Sequence, residues 1–295
     1  MATLRDIKRR IRSVKNIAQS TRAMQLVASS KMRRAQERVL AARPYAEQLQ
    51  RLLSRLASAG GLDEPQPLME QRPLRNLGVV LVTPDRGMCG ALPGNLNRHA
   101  AQTVLDELNA ARNGNFTPQT DRGNFIAVGR KGRDFVVRSG QHLLGEFVQY
   151  GDRPDINLVR AIARVATDAY LNNEVDRVDL IYAKFISTVS QQAVTLQLLP
   201  VVPPEQTEEG RIEEYIYEPD PATLFAALLP RYVETLIYQA MLESLASQYS
   251  AQMVAMKNAT DNATELVSDL TLTYNKARQQ AITTQILEVV AGAGQ

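Results

Sequence analysis

The sequence predicts an α+α/β protein in which two long terminal helices wind together as a coiled coil and an α/β domain is inserted between them. Three observations lead there. Leu4, Ile7, Ile11, Val14, Ala18, Thr21, Gln25, Ala28, Met32, Ala35, Val39, Ala42, Ala46, Leu49, Leu53 and Leu56 fall on a seven-residue repeat of helix positions. A strict heptad repeat imposes a left-handed supercoil, so this helix needs a mate. Tyr249, Met253, Met256, Ala259, Ala263, Leu266, Leu270, Tyr274, Ala277 and Ala281 recur every three or four residues near the other end of the chain. Between the two, the apolar residues come in short continuous runs of strand length, starting with Leu77–Thr83.

The N-terminal helix covers residues 1–60. Thr3 suits the cap, with Asp6 at the positive helix end. Pro44 lacks an N–H and crowds the preceding turn. The apolar phase continues past it, which predicts a kink rather than an end. Gly60, Gly61, Pro65, Pro67 and Pro73 mark a linker over 61–75.

The α/β domain is assigned to 76–202. Strand Leu77–Thr83 leads through Pro84-Asp-Arg-Gly-Met-Cys-Gly90 into a helix from about Asn95 to Ala111. Residues 112–124 read as a polar loop, Phe125–Gly129 as a second strand, and Lys131–Val137 as a short element. His142 falls in a stretch that reads as loop. Ile156–Leu171 is an amphipathic helix. Val178–Thr188 and Ala193–Val201 are rich in β-branched residues and read as a hairpin.

Residues 203–220 are acidic and proline-rich and form the return linker. The C-terminal helix covers 221–295, with Asp220 as its cap, Pro221 in its first turn, and an early kink at Pro230. Its ~70 residues would span roughly 105 Å, against roughly 80 Å for the N-terminal helix. The longer helix should therefore overhang. Its end (Ile286, Leu287, Val289, Val290) is apolar, which asks for a partner surface.

Composition narrows the function classes. Residues 1–60 hold 14 Lys or Arg and 3 Asp or Glu, a charge of +11, while the whole chain carries only +3. Such a helix fits nucleic acid, an anionic membrane or an acidic protein surface, and an ordinary solvated face as well. The single cysteine, Cys89, excludes an internal disulfide. The charged N-terminus (Arg5, Lys8, Arg9, Arg10, Arg12) does not read as a secretory signal. The acceptor patterns at Asn258 and Asn262 therefore read as ordinary helix residues.

Asp85-Arg-Gly-Met-Cys-Gly90 is the one loop that suggests chemistry, because a glycine turn after a strand can cradle phosphate. It lacks the spacing of a Walker or dinucleotide motif. Cys89 with His99 or His142 would make a cysteine hydrolase; a tight turn around a buried thiol is the plainer reading. One cysteine and two histidines do not suit a structural zinc site. No catalytic, cofactor-binding or metal-binding residues are assigned. A coiled-coil protein that binds nucleic acid or membrane through its basic helix is the alternative.

Together, Arg12-Ser-Val-Lys-Asn-Ile17, Thr21-Arg-Ala-Met24, Val27-Ala-Ser-Ser-Lys31, the Asp85–Gly90 loop, Met256–Ala263, Tyr274–Gln279 and Ile282-Thr283 closely resemble the gamma-subunit family of F-type ATP synthases over nearly the whole chain. The resemblance implies an antiparallel coiled coil standing inside the ring of alternating alpha and beta subunits. It implies a Rossmann-like α/β domain outside that ring, beside the epsilon subunit and the membrane c-ring. The function implied is a rotor that transmits torque between ion flow and three catalytic sites, with no chemistry on this chain. The location implied is the cytoplasmic face of the bacterial plasma membrane, with contact to the membrane only through the c-ring.

Position by position, Met24 matches the contact near the beta subunit's acidic lever loop. Arg278, Gln279 and Thr283 match polar contacts to the catching loops of the ring, and Gln285 stands among them. Ile286, Val289 and Val290 match the part held in the upper bearing. The family usually has an acidic residue where Gln285 stands, and often an acid–base pair at Gln248 and Gln252. Grip on the loops here is thus expected to rest more on packing than on charge.

Overall fold

A computed structural model describes residues 3–61, 65–113, 122–202, 217–218 and 220–292. The elements run α1 (Leu4–Leu56), β1 (Leu77–Val82), α2 (Leu92–Asn113), β2 (Asn124–Val128), α3 (Arg130–Arg138), β3 (His142–Phe147), α4 (Ile156–Leu171), β4 (Arg177–Phe185), β5 (Gln191–Leu199) and α5 (Pro221–Gly292). The chain forms two compact units, Met1–Ser30 with Gln252–Gln295, and Lys31–Ala251.

The first unit holds the start of α1 and the end of α5. Thr3 and Asp6 close a reciprocal cap. Asp6 N–H donates to Thr3 Oγ1 (3.3 Å), and Thr3 N–H donates to Asp6 Oδ2 (3.3 Å). Thr21 and Thr260 hydroxyls meet at 2.7 Å, a polar pair within a largely apolar seam. Along the whole of α1, all sixteen heptad positions named above are buried or half-buried, and most residues between them are exposed. On α5 the seam holds with one correction: Leu266 is 46% exposed and its neighbour Val267 is half-buried instead. A helix of 3.6 residues per turn drifts against a fixed three-four spacing, and the seam passes to the adjacent residue.

The second unit contains a five-stranded sheet of order β3-β2-β1-β4-β5. β1 pairs in parallel with β2 and β4, β2 pairs in parallel with β3, and β5 runs antiparallel to β4. All six β1 residues are buried, as expected of a central parallel strand covered on both faces. Leu77, Val79 and Leu81 alternate onto one face and pack against Leu92, Leu96, Ala100 and Val104, which recur at four-residue steps on α2. Right-handed crossovers place α2 and α3 on one face, because both lead the chain the same way. They place α4, which leads it back, on the other. Asn97 of α2 accordingly reaches α3, donating to the Lys131 carbonyl at 3.4 Å.

Two details differ from the sequence reading, the place of His142 and the start of α2, and others make it more specific. His142 starts β3 rather than sitting in a loop; the strand is short, half-exposed and at the sheet edge, so it lacks a buried apolar run. Arg130–Arg138 is a helix, and α2 starts earlier than Asn95, at Leu92. As the continuing apolar phase predicts, α1 does not end at Pro44, and α5 likewise runs through Pro230.

In this unit α1 and α5 run antiparallel. Lys31 meets the Tyr249 ring, whereas Ala42, Tyr45 and Ala46 line one cleft with Thr235, Tyr238 and Gln239. From Ala240 to Ser247 every α5 residue is buried, as in a helix covered on all sides. β4 outruns β1, whose last paired residue is Leu81 opposite Ile181. Two residues on, Ala183 presents a backbone N–H and carbonyl on the β1 side with no strand to meet them. α5 supplies the partners. Ser244 Oγ accepts from Ala183 N–H (3.2 Å), and Ser247 Oγ donates to Ala183 O (2.9 Å). Ser250 Oγ extends the grip by donating to Thr188 O at 2.6 Å.

Candidate functional site

The strand order reverses between β1 and β4, and in open α/β sheets ligands bind beyond the strand ends at such a point. The Asp85–Gly90 loop lies there, after β1. Its surroundings are filled by the chain's own groups. The first three N–H groups of α3 are all taken: Arg130 donates to Asp85 Oδ1 (3.0 Å), Lys131 to Pro84 O (3.2 Å) and Gly132 to Thr83 Oγ1 (2.7 Å). Those N–H groups are therefore not free to meet an anion. Gly129 has φ 98°, and a β-carbon there would stand 1.9 Å from Thr83 O, so only glycine allows this closeness. Tyr150, buried, donates its hydroxyl to Thr83 O (2.9 Å) and its N–H to Asp85 Oδ2 (3.2 Å).

Cys89 is buried, with Sγ 3.6 Å from Arg86 O. Burial raises its thiol pKa, the opposite of what a nucleophile requires. The histidines are engaged elsewhere: His99 with Thr195 Oγ1 (2.9 Å) and His142 with Asn124 Oδ1 (2.9 Å). The cysteine-hydrolase constellation is therefore not assembled. Among the described residues no cluster of metal ligands is present, and no helix is long and apolar enough to cross a membrane.

What the loop supports instead is a polar node. Gln149 (φ 62°) and Gly151 (φ 69°) bracket Tyr150 in a tight turn between β3 and α4. The next residue, Asp152, pairs with Lys31 Nζ through Oδ2 at 2.6 Å. Its Oδ1 accepts a short hydrogen bond from the Tyr249 hydroxyl, and its carbonyl accepts from Arg38 Nη1 at 2.7 Å. The Lys31 ammonium stands 5.5 Å from the Tyr249 ring centre. Partial burial raises the Asp152 pKa, but the bonds from Lys31 and Tyr249 outweigh it and hold the carboxyl below its ordinary value. Sequence reasoning missed this node because its members lie up to 218 positions apart, from Lys31 to Tyr249.

The residues singled out from the sequence fall into two places. Met24 is 39% exposed on α1. Arg278, Gln279, Thr283 and Gln285 are exposed on α5, and Thr283 Oγ1 bonds back to Gln279 O. Ile286 and Val289 are 57% and 70% exposed; the Val290 side chain lies outside the described residues. The Thr21–Thr260 contact sets the level of the antiparallel pair, so Met24 lies beside Lys257. Arg278 is then about 30 Å farther along α5. Leu4 starts α1 seventeen residues before Thr21, so its level on α5 is Ala277, seventeen beyond Thr260. From Arg278 onward α5 has no facing residue of α1. Arg5, Lys8, Arg9, Arg10, Arg12, Lys15 and Arg22 are all exposed.

A family model described as ATP synthase matches residues 3–294. The chain is 47% identical over 294 residues to the ATP synthase gamma chain of Dehalococcoides mccartyi (strain CBDB1), covering 99% of each chain. It is 44% identical over 294 residues to that of Roseiflexus castenholzii (strain DSM 13941 / HLO8), covering 99% of this chain and 98% of the relative. Its fold is similar to a chain in the central stalk/c-ring structure of Tetrahymena thermophila mitochondrial ATP synthase (TM-score 0.60, 23% identity, 81% of this chain and 98% of that one). It is equally similar to a chain of the Euglena gracilis mitochondrial ATP synthase rotor (TM-score 0.60, 19% identity, 95% and 98%). The chain belongs to the ATP synthase gamma-chain family.

Proposed function

We propose that this chain is the central-stalk rotor subunit of an F1Fo ATP synthase, passing torque between an ion-driven c-ring and a ring of three alpha and three beta subunits. The observation that carries the reading is the end of α5, which among the described residues lies beyond the start of α1, in a chain with full-length gamma-chain relatives. Ile282, Ile286, Leu287 and Val289 are all exposed there. Burying one such side chain contributes about 1.5–3 kcal/mol. Four together are of the size needed to offset the cost of docking, about 4–15 kcal/mol. An apolar socket is thus the partner this end fits.

In this reading Ile286, Val289 and Val290 sit in the bearing formed by the ring. Arg278, Gln279, Thr283 and Gln285 meet its catching loops, and Met24 meets an acidic lever loop nearer the head. The exposed basic flank of α1 complements acidic loops of the ring. The α/β domain, 76–202, stands between the helical segments 1–60 and 221–295, joined by 61–75 and 203–220, and faces the epsilon subunit and the c-ring. The chemistry of ATP belongs to the alpha and beta subunits. The complex lies on the cytoplasmic face of a bacterial plasma membrane, and this chain reaches the membrane only through the c-ring.

The test is reconstitution with the alpha and beta subunits of a gamma-chain relative. One copy of the chain per ring is expected, and a bead attached to the α/β domain should turn during ATP hydrolysis. A ring that forms and hydrolyses ATP without retaining the chain overturns the reading.

A further inference from the structure

A rotor must resist twisting where its helices join its head, and α1 and α5 are held in different ways. α5 is bonded straight onto β4 by Ser244 and Ser247, and onto the turn between β4 and β5 by Ser250. α1 is reached from the β3–α4 turn, at Asp152. That one residue takes Lys31 on its carboxylate and Arg38 on its carbonyl, two turns apart on α1, and Tyr249 of α5 on its second carboxylate oxygen. The turn is itself fixed from behind, because Tyr150 is bonded to both Asp85 and Thr83 beside the sheet.

Apolar seams attract without direction, so they resist separation better than sliding or rotation. Charge-assisted hydrogen bonds are directional, and bonds made at side-chain ends act farthest from the helix axis, where twist produces the largest displacement. Exposed ion pairs add little to stability, so stability does not account for three bonds gathered on one half-exposed residue.

We infer that Asp152 is a positioning residue, a clamp that fixes α1 and α5 to the head and makes twist in the helices turn the α/β domain with them. The inference rests on the rotor reading. Its test uses the full complex in vesicles, comparing ATP-driven ion pumping with ATP hydrolysis. For Asp152→Ala the pumping-to-hydrolysis ratio should fall about fivefold, equivalent to about 1 kcal/mol of lost engagement. Asp152→Asn, which keeps an acceptor for Tyr249 but loses the charge facing Lys31, should fall between. Exchanging the charges, Lys31→Asp with Asp152→Lys, should restore the ratio.

A purely structural role would lower the yield of assembled complex and leave the ratio alone. An unchanged ratio in Asp152→Ala and Asp152→Asn therefore overturns the clamp, whatever the yield. A lowered ratio that the charge exchange fails to restore overturns the tie to α1. A wild-type chain that joins the ring but never couples hydrolysis to pumping overturns the rotor reading instead.

Discussion

The bonds from α5 to Ala183 make an unequal pair. Ser244→Ala removes the acceptor of the Ala183 N–H, and Ser247→Ala removes the donor to the Ala183 carbonyl. Both serines are nearly or fully buried, so water does not replace them freely. An N–H has one proton and here no strand beside it, whereas a carbonyl has two lone pairs and tolerates the loss of one. Orphaning the N–H should cost about 2 kcal/mol, in the middle of the range for an unsatisfied buried group; the carbonyl should cost about 1 kcal/mol, at its lower end. For a chain of this size that corresponds to Tm losses of roughly 4–8 °C and 2–4 °C. The two act on one peptide unit, so the double variant should cost less than their sum. Thermal melts at neutral pH give the order, and hydrogen exchange gives the cause. The Ala183 amide should lose protection in Ser244→Ala and keep it in Ser247→Ala. Equal costs, or an Ala183 amide equally protected in both, refute the idea that these serines stand in for a strand.

Three more expectations follow from single groups. Glu243 is 8% exposed, its Oε2 has no partner, and burial raises its pKa despite Gln239, Lys184 and Arg43 nearby. A raised carboxyl pKa favours folding below the unfolded value and penalises it as pH rises. Glu243→Gln should therefore raise Tm at neutral pH, with the gain vanishing below pH 4.5, and a melt series across that range checks it. Cys89 should react with a maleimide much more slowly in the native complex than in denaturant, and Cys89→Ala should leave hydrolysis and pumping unchanged. Gln285→Glu should strengthen the hold of the ring on α5, measured as slower release of the chain; unchanged affinity and unchanged torque would show that charge at this position does not set the grip.

The helical seams were legible because their signal is periodic and long. Sixteen stations on α1 all proved sheltered, and single errors such as Leu266 do not change the phase. The central strands were legible because burial on both faces leaves an uninterrupted apolar run, as in Leu77–Val82. β3 was not, since an edge strand with residues such as His142 and Glu146 has no such run. Ser244, Ser247 and Ser250 look like ordinary helix polar residues until the shortfall of β1 against β4 is known. The Asp152 node depends on three segments meeting, and no local pattern encodes that. The sequence offered the Asp85–Gly90 loop as a candidate phosphate cradle. In the fold Thr83, Pro84 and Asp85 instead take up the first N–H groups of α3, a meeting of distant segments that the loop itself does not announce.

That substitution bears on how such a fold serves a mechanical task. An open α/β sheet ordinarily leaves a crevice at its switch point. Here the end of β1 is tied by internal bonds: Asp85 joins α3 to the Tyr150 turn, and Tyr150 joins that turn to the end of β1. These bonds shorten the path from the central strand to Asp152, and so to α1 and α5. α5 meets three environments in turn. It is buried all round from Ala240 to Ser247, sheltered on one seam as far as Ala281, and exposed from Ile282 onward among the side chains that are described. The first environment suits a mount and the second a shaft. The third is stable only inside a partner, and that is why the end of α5, rather than any pocket in the α/β domain, is the place to look for this chain's function.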